Sequence, residues 1–155
     1  MKNYLVLSAL IAFLFVVSTT ATADVVLNQD IPTPISAITN PCNGETVVLS
    51  GSIHVLVATT SDGNGGFHMV MKDNAQNLSG IGQTTGTKYQ FATNSMFNVN
   101  VQPPFPSEFT LPSTMNLVSQ GSAPNFFVQS LFKVTVNADG TVTVAIFAFN
   151  TSCNG

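Results

Sequence analysis

The sequence predicts an all-β domain, an antiparallel meander that closes into a small β-barrel. Val, Ile, Thr and Phe dominate from residue 42 onward, and Gly or Asn clusters recur between runs of about ten residues. No apolar stripe of helical period exceeds two turns. Cys42 and Cys153 lie near the two ends of the patterned region, so a bond between them would join its first and last strands. A two-sheet β-sandwich with the same disulfide is the alternative fold.

The two cysteines are expected to form one intramolecular disulfide, because the chain has the marks of an exported protein. Closing a loop of this length contributes on the order of 4 to 5 kcal/mol in the chain-entropy model. A metal-thiolate pair and a catalytic thiol are the alternative uses of Cys42 and Cys153.

Residues 1–23 have the pattern of an export signal. Lys2 supplies a positive start, residues 5–17 form an apolar run, and residues 21–23 fit the small-residue cleavage rule. The run is shorter than the roughly 20 residues that span a bilayer. We expect a mature chain that begins at Asp24, has no integral membrane segment after signal removal, and is secreted into the extracellular or periplasmic space.

The mature chain carries few charges. Lys72, Lys88 and Lys133 are its basic side chains, against 7 acidic residues in the whole sequence. Such a surface cannot neutralise many phosphates, so we expect no nucleic-acid binding and no electrostatic docking to anionic membranes. Solubility must come from Thr, Ser, Asn and Gln.

Beyond the signal, residues 24–41 contain three prolines and no clear period, and they predict an extended N-terminal arm. A single β domain is expected over residues 42–155. Its predicted strands cover residues 46–60, 66–76, 87–101, 114–120, 126–137 and 141–150. Residues 102–112 are rich in proline, which disfavours a central strand, and we interpret them as a long surface loop or lid.

The last hairpin can be registered from its turn. Residues 137–140, Asn-Ala-Asp-Gly, predict a three-residue loop with a bulge that places Asn137 opposite Thr141. Lys133 then lies opposite Ala145 on a solvated face, which Thr135 and Thr143 share. The opposite, buried face would hold Phe132, Val134, Val136, Val142, Val144 and Ile146.

The same register makes the solvated face apolar further from the turn. It places Leu131 opposite Phe147 and Gln129 opposite Phe149, with Phe127 beyond. A contiguous exposed group of aromatic side chains normally marks an interface. We therefore predict a homo-oligomer that forms through Phe127, Leu131, Phe147 and Phe149; burial of the group beneath the arm or the 102–112 segment is the alternative.

A first hairpin turns around residues 61–66. Its buried face would hold Val47, Leu49, Ile53, Val55 and Val57 against Phe67, Met69 and Met71. The other face would hold His54, His68, Ser50, Ser52 and Lys72. The two histidines then lie about four residues apart, roughly 13 Å at the rise of a strand, so they cannot share a metal ion.

Recognisable motifs for phosphate loops, metal sites, nucleophile elbows and paired catalytic carboxylates are absent from the sequence. Residues 62–65 superficially resemble a calcium loop, yet the downstream bidentate Glu is missing. The simplest interpretation of the histidines is a solvated surface. The functional alternative is a binding cavity with His54, His68, Asn74 and Tyr89 as polar fixtures. We predict no catalytic residue, no metal and no cofactor.

Several segments of the chain resemble a group of exported bacterial proteins of unknown function. The resemblance lies in Gly51–His54, Asp62–His68 and Gly80–Tyr89, and also in Pro41–Glu45 and Ser119–Gly121. It would cover most of the mature chain and implies one exported domain, with no known activity, substrate or catalytic residue. The proline-rich segment 102–112 has no counterpart in that group.

Three classes of function remain open from the sequence. The first is a secreted non-enzymatic β domain that binds a neutral ligand, a carbohydrate-like surface or a protein partner, since the chain offers few charged or nucleophilic groups. The second is a small-barrel isomerase or cyclase that acts on an apolar substrate, for which shape and a few hydrogen bonds suffice. The third is a structural or assembly subunit.

Overall fold

The computed structural model describes residues 23–33 and 36–153. Nearly all of the predicted export signal, residues 1–22, lies outside the described residues. The described part forms nine β-strands: β1 (Asp24–Pro32), β2 (Ala37–Thr39), β3 (Thr46–Ser61), β4 (Phe67–Gly82), β5 (Lys88–Ala92), β6 (Asn94–Val101), β7 (Ser107–Ser119), β8 (Phe126–Val136) and β9 (Val142–Cys153). In those residues, no helix is long and apolar enough to cross a membrane.

The nine strands form one antiparallel sheet that curls into a half-barrel. The strand order is β1-β3-β4-β5-β7-β8-β9, with β2 paired to β3 and β6 paired to β4. Cys42 and Cys153 are disulfide-bonded with their Cα atoms 5.1 Å apart, which ties the start of the domain to its last strand. The predicted all-β meander closing towards a small barrel, and the predicted disulfide, are confirmed.

The concave face of the curled sheet, called here the inner face, carries the hydrophobic core. One buried cluster surrounds Ile53, Met71 and Phe132. A second cluster lies towards the disulfide around Val47, Tyr89 and Phe126. β8 shows how a strand supplies this core, because every second side chain along it is buried and the side chains between them are more exposed.

The N-terminal arm is more regular than its sequence indicates. Its residues form β1 and β2, and both pair antiparallel with β3. Leu27 and Ile31 pack against the inner core, while most other side chains of β1 are exposed. The arm is therefore held as strands by backbone hydrogen bonds to β3. It does not need a regular alternation of apolar residues in its own sequence.

The segment 102–112 is not one long loop. Residues 102–106 connect β6 to β7, and β7 begins at Ser107, so Pro112 lies within a strand opposite Leu131. β5 pairs with β7 only over residues 116–119. Pro112 therefore lies where β7 has a ladder partner on one side only, and a proline is tolerated at such an edge.

The last hairpin has the predicted register near its turn. Asn137 donates its backbone N–H to the oxygen of Thr141 (2.8 Å), and Gly140 has a positive φ of 83°. The pairs from Val136–Val142 to Phe132–Ile146 are as predicted. Further out the prediction was wrong, because the register shifts between Leu131 and Phe132.

This shift is a β-bulge at Phe147. Leu131 lies opposite Ala148, and Gln129 lies opposite Asn150, one residue further along β9 than expected. A bulge inserts one extra residue into one strand, so every later side chain changes face. Phe149 consequently lies opposite Ser130 and packs against the core.

The first hairpin buries the predicted apolar residues, although its register differs in detail. His68 lies opposite Thr60, so His54 and His68 are six residues apart along the hairpin, about 20 Å at the rise of a strand. A second bulge lies at Gly51, whose φ is 115°. A Cβ atom there would lie 2.5 Å from the backbone oxygen of Asn77, so only glycine fits.

Candidate functional site

The predicted polar fixtures do not share one cavity. His54, His68 and Asn74 lie on the outer face of the sheet, with Asn74 directly opposite His54. His54 contacts Asp30 of β1 (Nδ1 to Oδ1, 2.8 Å), and His68 Nδ1 is hydrogen-bonded to Asn100 Oδ1. Each histidine thus joins its strand to the adjacent strand.

Tyr89 lies on the inner face and is fully buried. Its hydroxyl accepts a hydrogen bond from Asn40 Nδ2 (3.1 Å), and its ring packs edge-on against Phe126 with centroids 5.6 Å apart. Burial raises the pKa of Tyr89, the hydrogen bond from Asn40 lowers it, and the charge of Glu45 raises it further. The structure therefore separates Tyr89 from the other three predicted residues by the thickness of the sheet.

Glu45 organises the end of the half-barrel beside the disulfide. Its Oε1 atom accepts hydrogen bonds from the backbone N–H groups of Thr84 and Thr85 (3.1 and 2.7 Å) and from the Thr85 hydroxyl (2.8 Å). The Thr85 N–H is the main cause of a lowered pKa for Glu45, which burial opposes. The carboxylate thus fastens the turn between β4 and β5 to the start of β3.

The loop that superficially resembles a calcium site is held by its own hydrogen bonds. Asp62 Oδ1 accepts from the N–H groups of Asn64 (2.8 Å) and Gly66 (3.0 Å), and Oδ2 accepts from Gln102 Nε2 (2.6 Å). The bond from Gln102 is the main cause of the lowered pKa of Asp62. Within the described residues, no group of three or more His, Cys, Asp and Glu side chains could hold a metal ion.

The aromatic residues of β9 lie where this strand faces β2, a region called here the seam of the half-barrel. The side chain of Phe147, in the bulge, is 55% exposed, and that of Phe149 is half-buried. Between β2 and β9 lies a depression of about 380 Å³ lined by Ala37, Ile38, Thr39, Phe147, Phe149, Asn150 and Thr151. Phe127 and Leu131, on the outer face of β8, are half-buried.

A row of polar side chains that was not predicted from the sequence crosses the inner face. Asp73 of β4 lies opposite Val55 and Ser95. Across the sheet, Ser113 lies opposite Ser130, which lies opposite Phe149. The Oγ atoms of Ser95 and Ser113 are 2.8 Å apart and join the two halves of the row. We call Asp73, Ser95, Ser113 and Ser130 the polar row.

Hydrogen bonds order most of the polar row. The Ser113 hydroxyl donates to Asp73 Oδ2 (3.1 Å). Because a hydroxyl has one proton, Ser95 must then donate to the oxygen of Ser113. Burial raises the pKa of Asp73, and the hydrogen bond from Ser113 offsets part of that rise.

Two oxygens of the row have no hydrogen-bond partner among the described residues. They are Asp73 Oδ1 and Ser130 Oγ, and the two residues are only 1% and 0% exposed. A buried polar group without a partner normally destabilises a fold by about 1 to 3 kcal/mol. A buried acid in an apolar setting is also a frequent feature of functional sites.

A signal for the row was present in the sequence. The predicted register already assigned Phe67, Met69 and Met71 to the buried face, and strict alternation places Asp73 next on that face. What the sequence could not supply was the alignment of Asp73 with Ser113 and Ser130, because those residues come from strands 40 or more positions away.

Neither the known protein families nor the curated proteins gave a match to this sequence, and no solved structure matched the fold.

Proposed function

We propose that the protein is a secreted, non-enzymatic β domain that acts as an assembly module, binding a second copy of itself through the β9 edge and the aromatic side chains beside it. The predicted export signal and the disulfide between Cys42 and Cys153 support secretion. The single observation that carries the assembly role is the long edge of β9, which carries no charge and no proline.

β9 is a long strand with a ladder partner on one side only. It has 12 residues and pairs with β8 alone among the described strands, and it approaches β1 without pairing with it. It contains no charged residue and no proline, two of the usual protections of a sheet edge against pairing with another chain, although the bulge at Phe147 interrupts it. The opposite edge of the sheet, β1, is protected by Asp24, Asp30 and Pro32.

The side chains at the seam favour the same surface. Phe147 is the most exposed aromatic residue of the predicted oligomer group, and Phe149 lines the depression beside it. Phe127 and Leu131 extend the apolar surface across the outer face of β8. Large apolar side chains on a surface with few charges favour association over solvation.

A second copy is the natural partner for this edge. Antiparallel pairing of two identical strands is related by a two-fold axis, so one edge can serve both partners at once. The pairing would hydrogen-bond the free backbone groups of β9 and bring the two Phe147 side chains close to the axis. The low net charge of −3 opposes such an approach only weakly.

Light scattering coupled to size-exclusion chromatography tests the proposal on the secreted protein. The wild type should be a dimer at high micromolar concentration, and Phe147→Asp should be a folded monomer, because a buried unpaired carboxylate is strongly unfavourable at an interface. Met96→Asp is the matched control: Met96 is 57% exposed on β6, away from the seam, and its replacement should leave the dimer intact.

Two outcomes contradict the proposal. One is a folded wild-type monomer at high micromolar concentration. The other is a Phe147→Asp variant that unfolds, because it would mean that Phe147 belongs to the core rather than to an interface.

A further inference from the structure

An opening in the sheet lies next to the polar row. On the side of β4 that faces β5 and β6, pairing with β6 ends at Asn74–Asn94, and pairing with β5 begins at Ser79–Gln90. Residues 75–78 therefore have no ladder partner on that side among the described strands. A depression of about 370 Å³ lies there, lined by Ala75, Asn77, Leu78, Ser79, Gln90 and Phe91.

The depression lies close to Asp73 in the sheet, although Asp73 itself does not line it. Ala75 follows Asp73 by two residues on the same inner face, opposite the buried Ile53. Ala75 and Phe91 both pack against the buried cluster that surrounds the row. Asp73 is therefore the next inner-face residue of β4 after Ala75, which lines the depression.

The backbone at the opening has an unusual conformation. Asn77 has a φ of 52°, the single positive value among the non-glycine residues that the structure describes. It lies against Gly51 of β3, and the pairing of β3 with β4 changes register at these two residues. Sparsely populated backbone conformations cluster at ligand sites, because surrounding structure must hold them.

The chemistry of the row defines what can bind. Asp73 Oδ1 and Ser130 Oγ need partners, and the inner face offers no basic side chain: Lys72 and Lys133 are exposed on the outer face, and Lys88 is exposed as well. The walls around the row are apolar. A ligand that matches both features has an apolar body and one hydroxyl group.

We propose that the opening between β4 and β5–β6 admits a small neutral molecule with a hydroxyl group on an apolar body, and that the polar row binds the hydroxyl. Asp73 Oδ1 accepts the hydroxyl proton, and Ser130 donates to the hydroxyl oxygen. Ser113 is a positioning residue, because its bond to Asp73 Oδ2 fixes the carboxyl group. The apolar body packs on Phe91 and Leu78. This binding site goes beyond the assembly role, and of its residues only Ser130 lies beside β9, opposite Phe149.

The test uses benzyl alcohol as the probe and toluene as the same ring without the hydroxyl. Both are titrated into the ¹⁵N-labelled wild-type protein, so the result does not depend on the Phe147→Asp variant. Benzyl alcohol should shift the amide signals of residues 73–79 and 91–95 and bind at least about threefold more tightly than toluene, the effect of one net hydrogen bond.

Substitutions in the row separate hydroxyl recognition from general apolar binding. Ser130→Ala should lower the affinity for benzyl alcohol about threefold or more and leave that for toluene unchanged. Asp73→Asn should also lower it, since the amide replaces one acceptor oxygen by a donor. Ser122→Ala, at an exposed loop position, should change neither affinity.

Three results would overturn the site. They are equal affinities for the two probes, signal shifts confined to residues outside the depression and the polar row, and an affinity for benzyl alcohol that Ser130→Ala does not alter. Ser130→Ala removes an unpartnered hydroxyl and should remain folded, so it keeps the test valid even where Asp73→Asn is unstable.

Discussion

Breaking the disulfide should lower the free energy of unfolding by a large and calculable amount. Cys42 and Cys153 are 111 residues apart in sequence, and a crosslink over that distance removes about 4.8 kcal/mol of chain entropy from the unfolded state. A domain of this size is stable by about 5 to 15 kcal/mol, so the loss is a large part of the total.

Two forms of the protein distinguish the contribution of the crosslink to stability from that of the packing of the cysteine side chains. The reduced wild type keeps both cysteine side chains and should lose about 4 to 5 kcal/mol. The double variant Cys42→Ala/Cys153→Ala should lose slightly more, because Cys42 also packs against the cluster around Tyr89. The oxidised protein should show no free thiol when it is titrated under denaturing, non-reducing conditions.

Guanidinium denaturation followed by circular dichroism measures both effects. The slope of the unfolding free energy with denaturant should rise when the bond is broken, because the open unfolded chain exposes more surface. A loss below about 2 kcal/mol with an unchanged slope would refute the reasoning, since it would mean that the crosslink does not restrict the unfolded chain as assumed. Two titratable thiols, or a covalent dimer sensitive to reduction, would refute the intramolecular bond itself.

Three further predictions concern the core and its turns. Gly51→Ala should lower the unfolding free energy by about 3 kcal/mol in urea denaturation, because φ is positive there and a Cβ atom would collide with backbone atoms of β4. Gly140→Asn should lower it by less than about 1 kcal/mol, because no atom crowds a Cβ there and Asn tolerates a positive φ. Phe132→Ala should cost about 3 to 5 kcal/mol because Phe132 is fully buried, and a loss below about 1 kcal/mol would contradict that burial. Because burial raises the pKa of Asp73, the protonated form is favoured in the fold, and the unfolding free energy of the wild type should fall as pH rises from the unfolded pKa through the folded pKa. Asp73→Asn should lack this fall, and parallel pH profiles of stability for the two proteins would contradict the assignment.

The sequence predicted those features that depend on neighbouring residues. The turn at residues 137–140 specified the pairing of Val136 with Val142, and alternation then identified the buried face of β8 and the first part of β9. The same alternation identified Val55, Val57, Met69 and Met71 as core residues. These predictions hold because the two-residue period of a strand and the geometry of a tight turn are local properties.

The prediction failed where a single extra residue changed the register. The bulge at Phe147 moves Phe149 from the outer to the inner face, and the bulge at Gly51 alters the pairing of β3 with β4. A bulge depends on how the curled sheet packs, and its position has only a weak local signature. The group of aromatic residues predicted to lie on one surface is therefore split, with Phe147 exposed and Phe149 against the core.

The sequence by itself thus determined the all-β fold and the two-sided hairpins, because both follow from residues that are neighbours in the chain, and it determined the disulfide because the chain has only 2 cysteines. Only the tertiary structure decided that the N-terminal arm pairs with β3, that Tyr89 lies inside while the histidines lie outside, and that Asp73, Ser95, Ser113 and Ser130 align in one row. The physical reason is that these contacts join distant strands, and the curl and bulges of the whole sheet set their alignment.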